Sequence, residues 1–75
     1  MRVEVAFGKV LKKIRLEMGL SQEKLALLCE LDRTYIGLLE RGQRKPTITT
    51  IFTIAENLDV KPSSLITEVE LMTSK

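Results

Sequence analysis

The sequence of 75 residues has no histidine, no tryptophan and only one cysteine, Cys29. Without histidine, imidazole-based acid–base catalysis and metal binding are excluded, and one cysteine can neither hold a structural zinc ion nor close an internal disulfide. No apolar run is long enough to cross a membrane, and no glycine-rich loop that could bind nucleotide phosphates precedes a helix. Acidic residues are scattered. We therefore expect no enzyme, cofactor, metal site or small-molecule substrate.

The length and the charge distribution indicate one domain, residues 1–75, with a basic part and an acidic part. Such a short chain has a modest core and often gains stability from oligomerisation. The net charge is only +2, but residues 2–24 carry six basic and three acidic side chains, residues 33–45 four and one, and residues 46–75 two and four. A basic side can meet a polyanion although the whole chain is nearly neutral. The lone cysteine and the lack of a secretory pattern predict a cytoplasmic protein.

Apolar residues recur at helical spacing in five segments, and no alternating strand pattern is present. We therefore predict an all-α fold of five helices. The first helix runs from about Glu4 to Met18, and Gly19 ends it. The apolar face of this helix contains Phe7, Val10, Leu11, Ile14 and Met18.

The fourth and fifth helices follow a proline-closed loop. Thr47 is placed to cap the fourth helix, and Pro62 fits the first position of the fifth. The predicted core face of the fourth helix contains Ile48, Ile51, Phe52, Ala55 and Leu58. The apolar residues of the fifth helix are Leu65, Ile66, Val69 and Met72.

Residues 21–42, SQEKLALLCELDRTYIGLLERG, predict two short amphipathic helices joined by a tight turn. Ser21 is a good N-cap for the first of them, and Asp32 is a good N-cap for the second. The apolar stripe of the first is formed by Leu25, Ala26, Leu28 and Cys29. In the second, Ile36 and Leu39 face inward. This arrangement, over about residues 21–40, is typical of a helix-turn-helix.

The outer face of the second helix suits a DNA major groove. Arg33 can form a forked pair with guanine, Thr34 can meet a thymine methyl or a phosphate, and Gly37 lets the backbone come close. The alternative for Arg33 is an exposed side chain paired with Asp32 or Glu30. The alternative for Gly37 is a merely tolerated glycine, although glycine costs a helix about 1 kcal/mol relative to alanine. We predict that this face reads bases.

The segment after this helix is predicted to contact phosphates. Arg41, Arg44 and Lys45 form a basic loop that can position the protein on DNA without reading its sequence. A charge cluster is usually only a solvated surface, so the assignment depends on the neighbouring helix. Thr47 and Thr49 could add phosphate contacts at the start of the fourth helix.

The runs SQEKLA, LDRTYIGLLERG and RKPT together resemble the helix-turn-helix of phage repressors, Cro proteins and their bacterial relatives, over about Val10 to Leu65. The run LDRTYI is most similar to the controller proteins of restriction–modification systems. The resemblance implies a compact, repressor-like DNA-binding domain in a small dimeric regulator. It also implies activation and then repression as dimers fill adjacent operators, with a contact to RNA polymerase. A phage-type repressor, an antitoxin regulator and a protein–protein module without DNA binding are the alternatives.

The resemblance also implies roles for individual residues. The residue matching Gln22 reaches a phosphate or braces the recognition helix. Tyr35 either completes the edge of the core or brings its hydroxyl to DNA, and the resemblance supports the DNA role. Arg15 and Glu40 are expected to pair inside the fold. Glu30 stands where relatives often have glycine, so either Glu30 carries backbone strain or the turn has another shape.

A homodimer is expected because one recognition helix reads only a few base pairs. Two copies related by a twofold axis would read a palindromic operator with half-sites about one helical turn apart. The predicted dimerisation region is about residues 60–75, with an interface of Leu65, Ile66, Val69, Leu71 and Met72. The exposed part of the fourth helix is the second choice.

Overall fold

The computed structural model describes residues 1–74 and contains five α-helices in that part of the chain. The helices are α1 (Val3–Glu17), α2 (Gln22–Cys29), α3 (Arg33–Glu40), α4 (Ile48–Asn57) and α5 (Pro62–Thr73). No strand occurs in the described residues. The prediction of an all-α, five-helix fold is confirmed. None of these helices combines the length and apolar character that a membrane span requires.

One core joins the five helices. α1 packs against α3 and α5, α2 packs against α3 and α4, and α4 packs against α5. The largest fully buried side chains come from all five helices: Leu11, Leu25, Ile36, Leu39, Ile54, Leu58 and Leu65. Because α3 is held on one side by α1 and on another by α2, its orientation is fixed by the core.

Three helices begin with the predicted side-chain caps. The Ser21 hydroxyl accepts a hydrogen bond from the backbone N–H of Lys24 at 3.0 Å. The Asp32 carboxylate accepts one from the N–H of Thr34 at 2.7 Å. The Thr47 hydroxyl caps α4 in the same way. These caps satisfy N–H groups that lack a partner within the helix, and each is worth about 1 kcal/mol.

The turn between α2 and α3 contains a left-handed residue. Glu30 has φ 57° and ψ 40°, and the next N–H, that of Leu31, bonds back to the carbonyl of Ala26 at 2.8 Å. Glu30 therefore carries the conformation that glycine adopts more easily, at a cost of about 1 kcal/mol. The first of the two alternatives for this turn is the one that the structure shows.

The predicted core face of α4 was wrong for two residues. Ile48 is 65% exposed and Phe52 is 49% exposed, whereas Ile54, which was left out, is fully buried with Ala55 and Leu58. The error arises because α4 carries two overlapping apolar stripes, one through 48, 52 and 55 and the other through 51, 54–55 and 58. Both have helical spacing, and only packing against α2 and α5 selects the second.

Two further residues lie outside the core although they were placed on apolar faces. Met18 is exposed because α1 ends at Glu17 and the chain turns at Gly19, whose φ is +71°. Leu28 is exposed because α2 packs through the neighbouring positions Leu25, Ala26 and Cys29.

Two residues of the predicted dimer interface, Leu65 and Val69, are buried in the core of the protomer itself, so they offer little surface to a second copy. Met72 is half-buried and also packs against this core. Ile66 and Leu71 remain exposed on α5.

Candidate nucleic-acid interface

α3 presents two distinct faces. Its inner face places Ile36 and Leu39, both fully buried, in the core. Arg33 and Thr34, in the first turn, are exposed. The Asp32 cap holds the N–H of Thr34, which fixes the start of the helix. Among residues 1–74, Arg33 forms no ion pair, so the alternative pairing with Asp32 or Glu30 is not present.

Tyr35 lies at the boundary between the two faces of α3. Its side chain is partly buried and packs against the core cluster. The structure therefore favours the first of the two alternatives for its ring, completion of the core edge.

Gly37 is not open to solvent, although it was expected to be. It is buried, and a Cβ added to it would lie 3.2 Å from Nη1 of Arg41 and 3.7 Å from Oε1 of Gln22. The face that Gly37 shares with Arg33 is therefore covered at Gly37, because two side chains reach across it. Arg41 does so from a position that was predicted to lie in the loop after the helix.

A hydrogen-bonded network fixes the far end of α3. The Arg15 guanidinium donates to both carboxylate oxygens of Glu40, with Nη2–Oε1 at 3.0 Å, and to the carbonyl of Leu20 at 2.7 Å. The Gln22 amide also donates to Glu40, at 3.0 Å. The Arg15 and Glu40 side chains are only 7% and 3% exposed. Because the charges are buried with satisfied hydrogen bonds, the network ties α1, α2 and α3 together.

Gln22 therefore has a structural partner in the free protein. Gln22 lies at the start of α2 beside Gly37, and its side chain is hydrogen-bonded to Glu40. It therefore braces the recognition helix α3, which is one of the two roles that the resemblance implied. A phosphate could still meet the backbone N–H groups at this helix start.

The basic loop after α3 is exposed. Arg41, Arg44 and Lys45 all reach solvent, and the chain turns at Gly42 with φ +71°. The turn packs closely on α1, since a Cβ on Gly42 would lie 2.9 Å from Cγ2 of Val5. The loop is thus held beside the N-terminus of α1.

Arg2 and Glu4 flank this loop, and sequence reasoning did not single them out. They line a shallow cleft with Arg44 and Lys45. A hydrogen bond from the Arg2 guanidinium holds the pKa of Glu4 below its usual value. A basic residue near the chain start was visible in the sequence, but its proximity to a loop forty residues away depends on the fold.

The two threonines of the predicted phosphate site differ in their surroundings. The Thr47 hydroxyl is engaged within α4, where it accepts from the N–H of Thr50 at 3.1 Å and donates to the Thr50 hydroxyl at 3.0 Å. The Thr49 side chain is exposed on the first turn.

The architecture around α2 and α3 matches a known family. Residues 11–65 fit the family model described as helix-turn-helix. The chain belongs to the helix-turn-helix family.

The relatives include two control proteins. The control protein C.BamHI from Bacillus amyloliquefaciens is 42% identical over 65 residues, covering 85% of this chain and 80% of that protein. The control protein C.MunI from Mycoplasma sp is 36% identical over 69 residues, covering 91% and 93%.

Solved structures agree with this kinship. The restriction-modification controller protein C.AhdI from Aeromonas hydrophila superposes with a TM-score of 0.80 at 47% identity, over 83% of this chain and 94% of that one. The wild-type controller protein C.Esp1396I gives a TM-score of 0.88 at 36% identity, over 100% and 99%. The chain is therefore a DNA-binding regulator of the helix-turn-helix family and is similar to restriction–modification controller proteins, as its sequence predicts.

Proposed function

We propose that this chain controls transcription of a restriction–modification operon by binding palindromic operators as a homodimer. The observation that carries the proposal is the exposed first turn of α3, with Arg33 and Thr34 free to enter a groove and a basic loop following the other end of the same helix. The similarity to control proteins such as C.BamHI supports the choice of operon. In this account the protein acts in the cytoplasm at the nucleoid.

Base readout is assigned to the first turn of α3. The side chain of Arg33 has no competing carboxylate partner in the described chain and can fork onto O6 and N7 of a guanine. Thr34 can place its methyl against a thymine methyl. Tyr35, whose ring packs at the core edge, adds a hydroxyl that can reach the sugar–phosphate backbone.

The phosphate contacts are assigned to the loop after α3 and to the starts of α2 and α4. Arg41, Arg44 and Lys45 supply three positive charges after α3, and Thr49 and the start of α2 near Gln22 supply uncharged donors. The hydroxyl of Thr47 caps α4, so Thr47 is assigned a phosphate contact because it lies at the start of this helix. Each neutralised phosphate releases counterions, so the affinity should fall steeply with salt.

The dimer surface that fits the structure combines α4 and α5. Four large apolar side chains are exposed on these two helices: Ile48 at 65%, Phe52 at 49%, Ile66 at 42% and Leu71 at 63%. A cleft of about 330 Å³ opens beside Ile66 and can receive a side chain of a second copy. Apolar side chains exposed on two packed helices are typical of an interface. This surface, the α4–α5 face, replaces the predicted set that included Leu65 and Val69.

A contact with RNA polymerase is the remaining part of the proposal. α4, the turn after it and α5 carry exposed acidic residues, Glu56, Asp59 and Glu70. These charges are suited to a basic surface on the polymerase.

The proposal is tested by selecting bound duplexes from a random DNA library with the purified protein. The expected result is a motif with twofold symmetry, whose enrichment weakens as salt is raised. No enrichment at low salt would contradict DNA regulation and would favour the protein–protein module. The recovered motif, found upstream of an endonuclease gene, would support the controller role, whereas a phage or toxin locus would favour the other regulators.

The dimer is tested by sedimentation of Phe52→Glu and Leu71→Glu. A charge on the α4–α5 face should convert the dimer to a monomer. Leu27→Glu is the matched control: Leu27 is 70% exposed but belongs to α2, which is not part of the proposed interface, so the charge should leave the dimer intact. A wild-type monomer at all concentrations, or dimers in both variants, would overturn the assignment.

A further inference from the structure

We infer that Gly37 is a positioning residue that seats the Arg41 side chain against α3, so that Arg41 meets the DNA from a fixed position. The inference rests on the proposed DNA binding and changes the role of Gly37 within it. Gly37 then serves a contact inside the protein, not a close approach of the backbone to the groove.

The first support is the placement of the Arg41 guanidinium. Side chains of a helix lean toward its N-terminus, so a residue at the end of α3 reaches back over the residue four positions earlier. The Arg41 guanidinium does so: its Nη1 lies 3.2 Å and its Cζ 3.8 Å from the point that a Cβ on Gly37 would occupy. Arg33, Gly37 and Arg41 are spaced by four and follow one face. The Arg41 head group is thereby brought toward the reading turn.

The second support is that Gln22, the other side chain near the Gly37 Cβ position, cannot move easily. Gln22 Oε1 lies 3.7 Å from the same point, at ordinary contact distance. Gln22 is held by Glu40 at 3.0 Å, and Glu40 is held by the buried Arg15. A methyl group at position 37 would therefore push the Arg41 guanidinium, the flexible neighbour, away by a few tenths of an ångström and leave Gln22 in place.

The third support is the helix itself. Glycine in the middle of a helix is less stable than alanine by about 1 kcal/mol, and α3 has only eight residues. Gly37 has no positive φ that would require glycine. The backbone conformation therefore does not explain why this residue is glycine. The space that the Arg41 side chain occupies does explain it.

Arg41 also has a polar neighbour in Gln43, since its Nε donates a hydrogen bond to Oε1 of Gln43 at 3.4 Å. The guanidinium is held at the end of α3, where a recognition helix leaves the groove and approaches the phosphate backbone. The partner of Arg41 is therefore a DNA phosphate, bound by a charge-assisted hydrogen bond.

The test is a double-mutant cycle on DNA affinity, measured by fluorescence anisotropy with a labelled duplex carrying the selected operator. Arg41→Ala should weaken binding by about 10-fold or more, because the dimer loses one charge-assisted hydrogen bond in each half-site, and it should reduce the salt slope by about two phosphate contacts. Gly37→Ala should weaken binding severalfold. The double variant should bind as Arg41→Ala does, because the methyl group then displaces nothing.

The matched control is the same cycle with Arg44→Ala. Arg44 is exposed in the same loop and is not among the atoms nearest the Gly37 position. The Gly37→Ala loss should be unchanged in the Arg44→Ala background. Thermal unfolding of Gly37→Ala should show a stability no lower than wild type, which separates the effect from misfolding.

Additive losses with Arg41→Ala would overturn the inference and would favour a clash of the methyl group with the groove, while leaving DNA binding itself intact. Wild-type protein that binds no DNA would overturn the proposed function as well. A measurement without DNA adds an independent check: nuclear Overhauser effects between Gly37 Hα and the Arg41 side chain are expected in the free protein, and their absence would contradict the seat.

Discussion

Replacing Gly8 by alanine should destabilise the fold, although alanine is the better helix former. Gly8 lies in the middle of α1 where this helix crosses the end of α3. A Cβ there would lie 2.4 Å from the carbonyl oxygen of Leu39 and 2.6 Å from that of Glu40. Both are backbone atoms at the end of α3, so neither can rotate away as a side chain could. The two helices would have to separate by roughly 1 Å to reach ordinary contact distance.

The magnitude follows from two opposing effects. The gain in helix propensity is about 1 kcal/mol. Overpacking typically costs about 1–3 kcal/mol, and the upper part of that range applies because rigid backbone is displaced. The separation would also strain the Arg15–Glu40 pair, whose carboxylate belongs to the residue that the methyl group meets. We expect a net loss of about 2 kcal/mol in the free energy of unfolding.

The assay is urea unfolding followed by far-ultraviolet circular dichroism, at one protein concentration because a dimer's stability depends on it. Gly19→Ala is the matched control. A Cβ on Gly19 would meet nothing within 4 Å, and only the φ of +71° at this residue opposes alanine. Gly19→Ala should therefore lower the free energy of unfolding by about 1 kcal/mol. A Gly8→Ala protein as stable as wild type, or more stable, would refute the reasoning.

Three further predictions concern the core. Glu40→Gln should lower the free energy of unfolding by about 3 kcal/mol, since it leaves the buried charge of Arg15 without its counter-charge; a urea midpoint equal to that of wild type would contradict this. Burial raises the pKa of the Cys29 thiol above its ordinary value of 9.0, so the unfolded chain loses this proton first. The free energy of unfolding should therefore be steady below pH 9.0 and fall as the pH rises above it. Urea unfolding at pH 8 and at pH 10 measures this fall, which should be smaller in Cys29→Ala than in wild type. Ile54→Ala should cost about 2–5 kcal/mol, whereas Phe52→Ala should cost much less in a protomer kept monomeric; equal losses would contradict the orientation of α4.

Much of the helix-turn-helix could be predicted because its signals are local. Ser21 and Asp32 act as caps within three residues of their own positions, and Ile36 and Leu39 face inward by helical spacing alone. The exposed Arg33 follows from the same spacing. Short-range geometry is fixed by the order of neighbouring residues, so one sequence is enough to read it.

The features that escaped prediction depend on contacts between distant segments. The choice between two apolar stripes of α4 is made by α2 and α5, which is why Phe52 was placed in the core and Ile54 was not. The burial of Leu65 needed the position of α5 against α1 and α4. Gly8 gave no motif at all, because its role exists only where two helices cross. Gly37 was placed on the correct helix, but Arg41, whose side chain covers it, was assigned to the loop after that helix.

The central claim is that Arg33 reads a base, and the most direct test is a comparison of affinities on two duplexes. One carries the selected operator, and the other has the guanine pair assigned to Arg33 replaced. Wild-type protein should bind the replaced duplex about 10-fold or more weakly, from the loss of about 1–3 kcal/mol, and Arg33→Ala should bind both equally. Arg44→Ala should bind both more weakly and keep the wild-type ratio, as a phosphate contact does. An Arg33→Ala protein that still distinguishes every base pair of the operator would contradict the account.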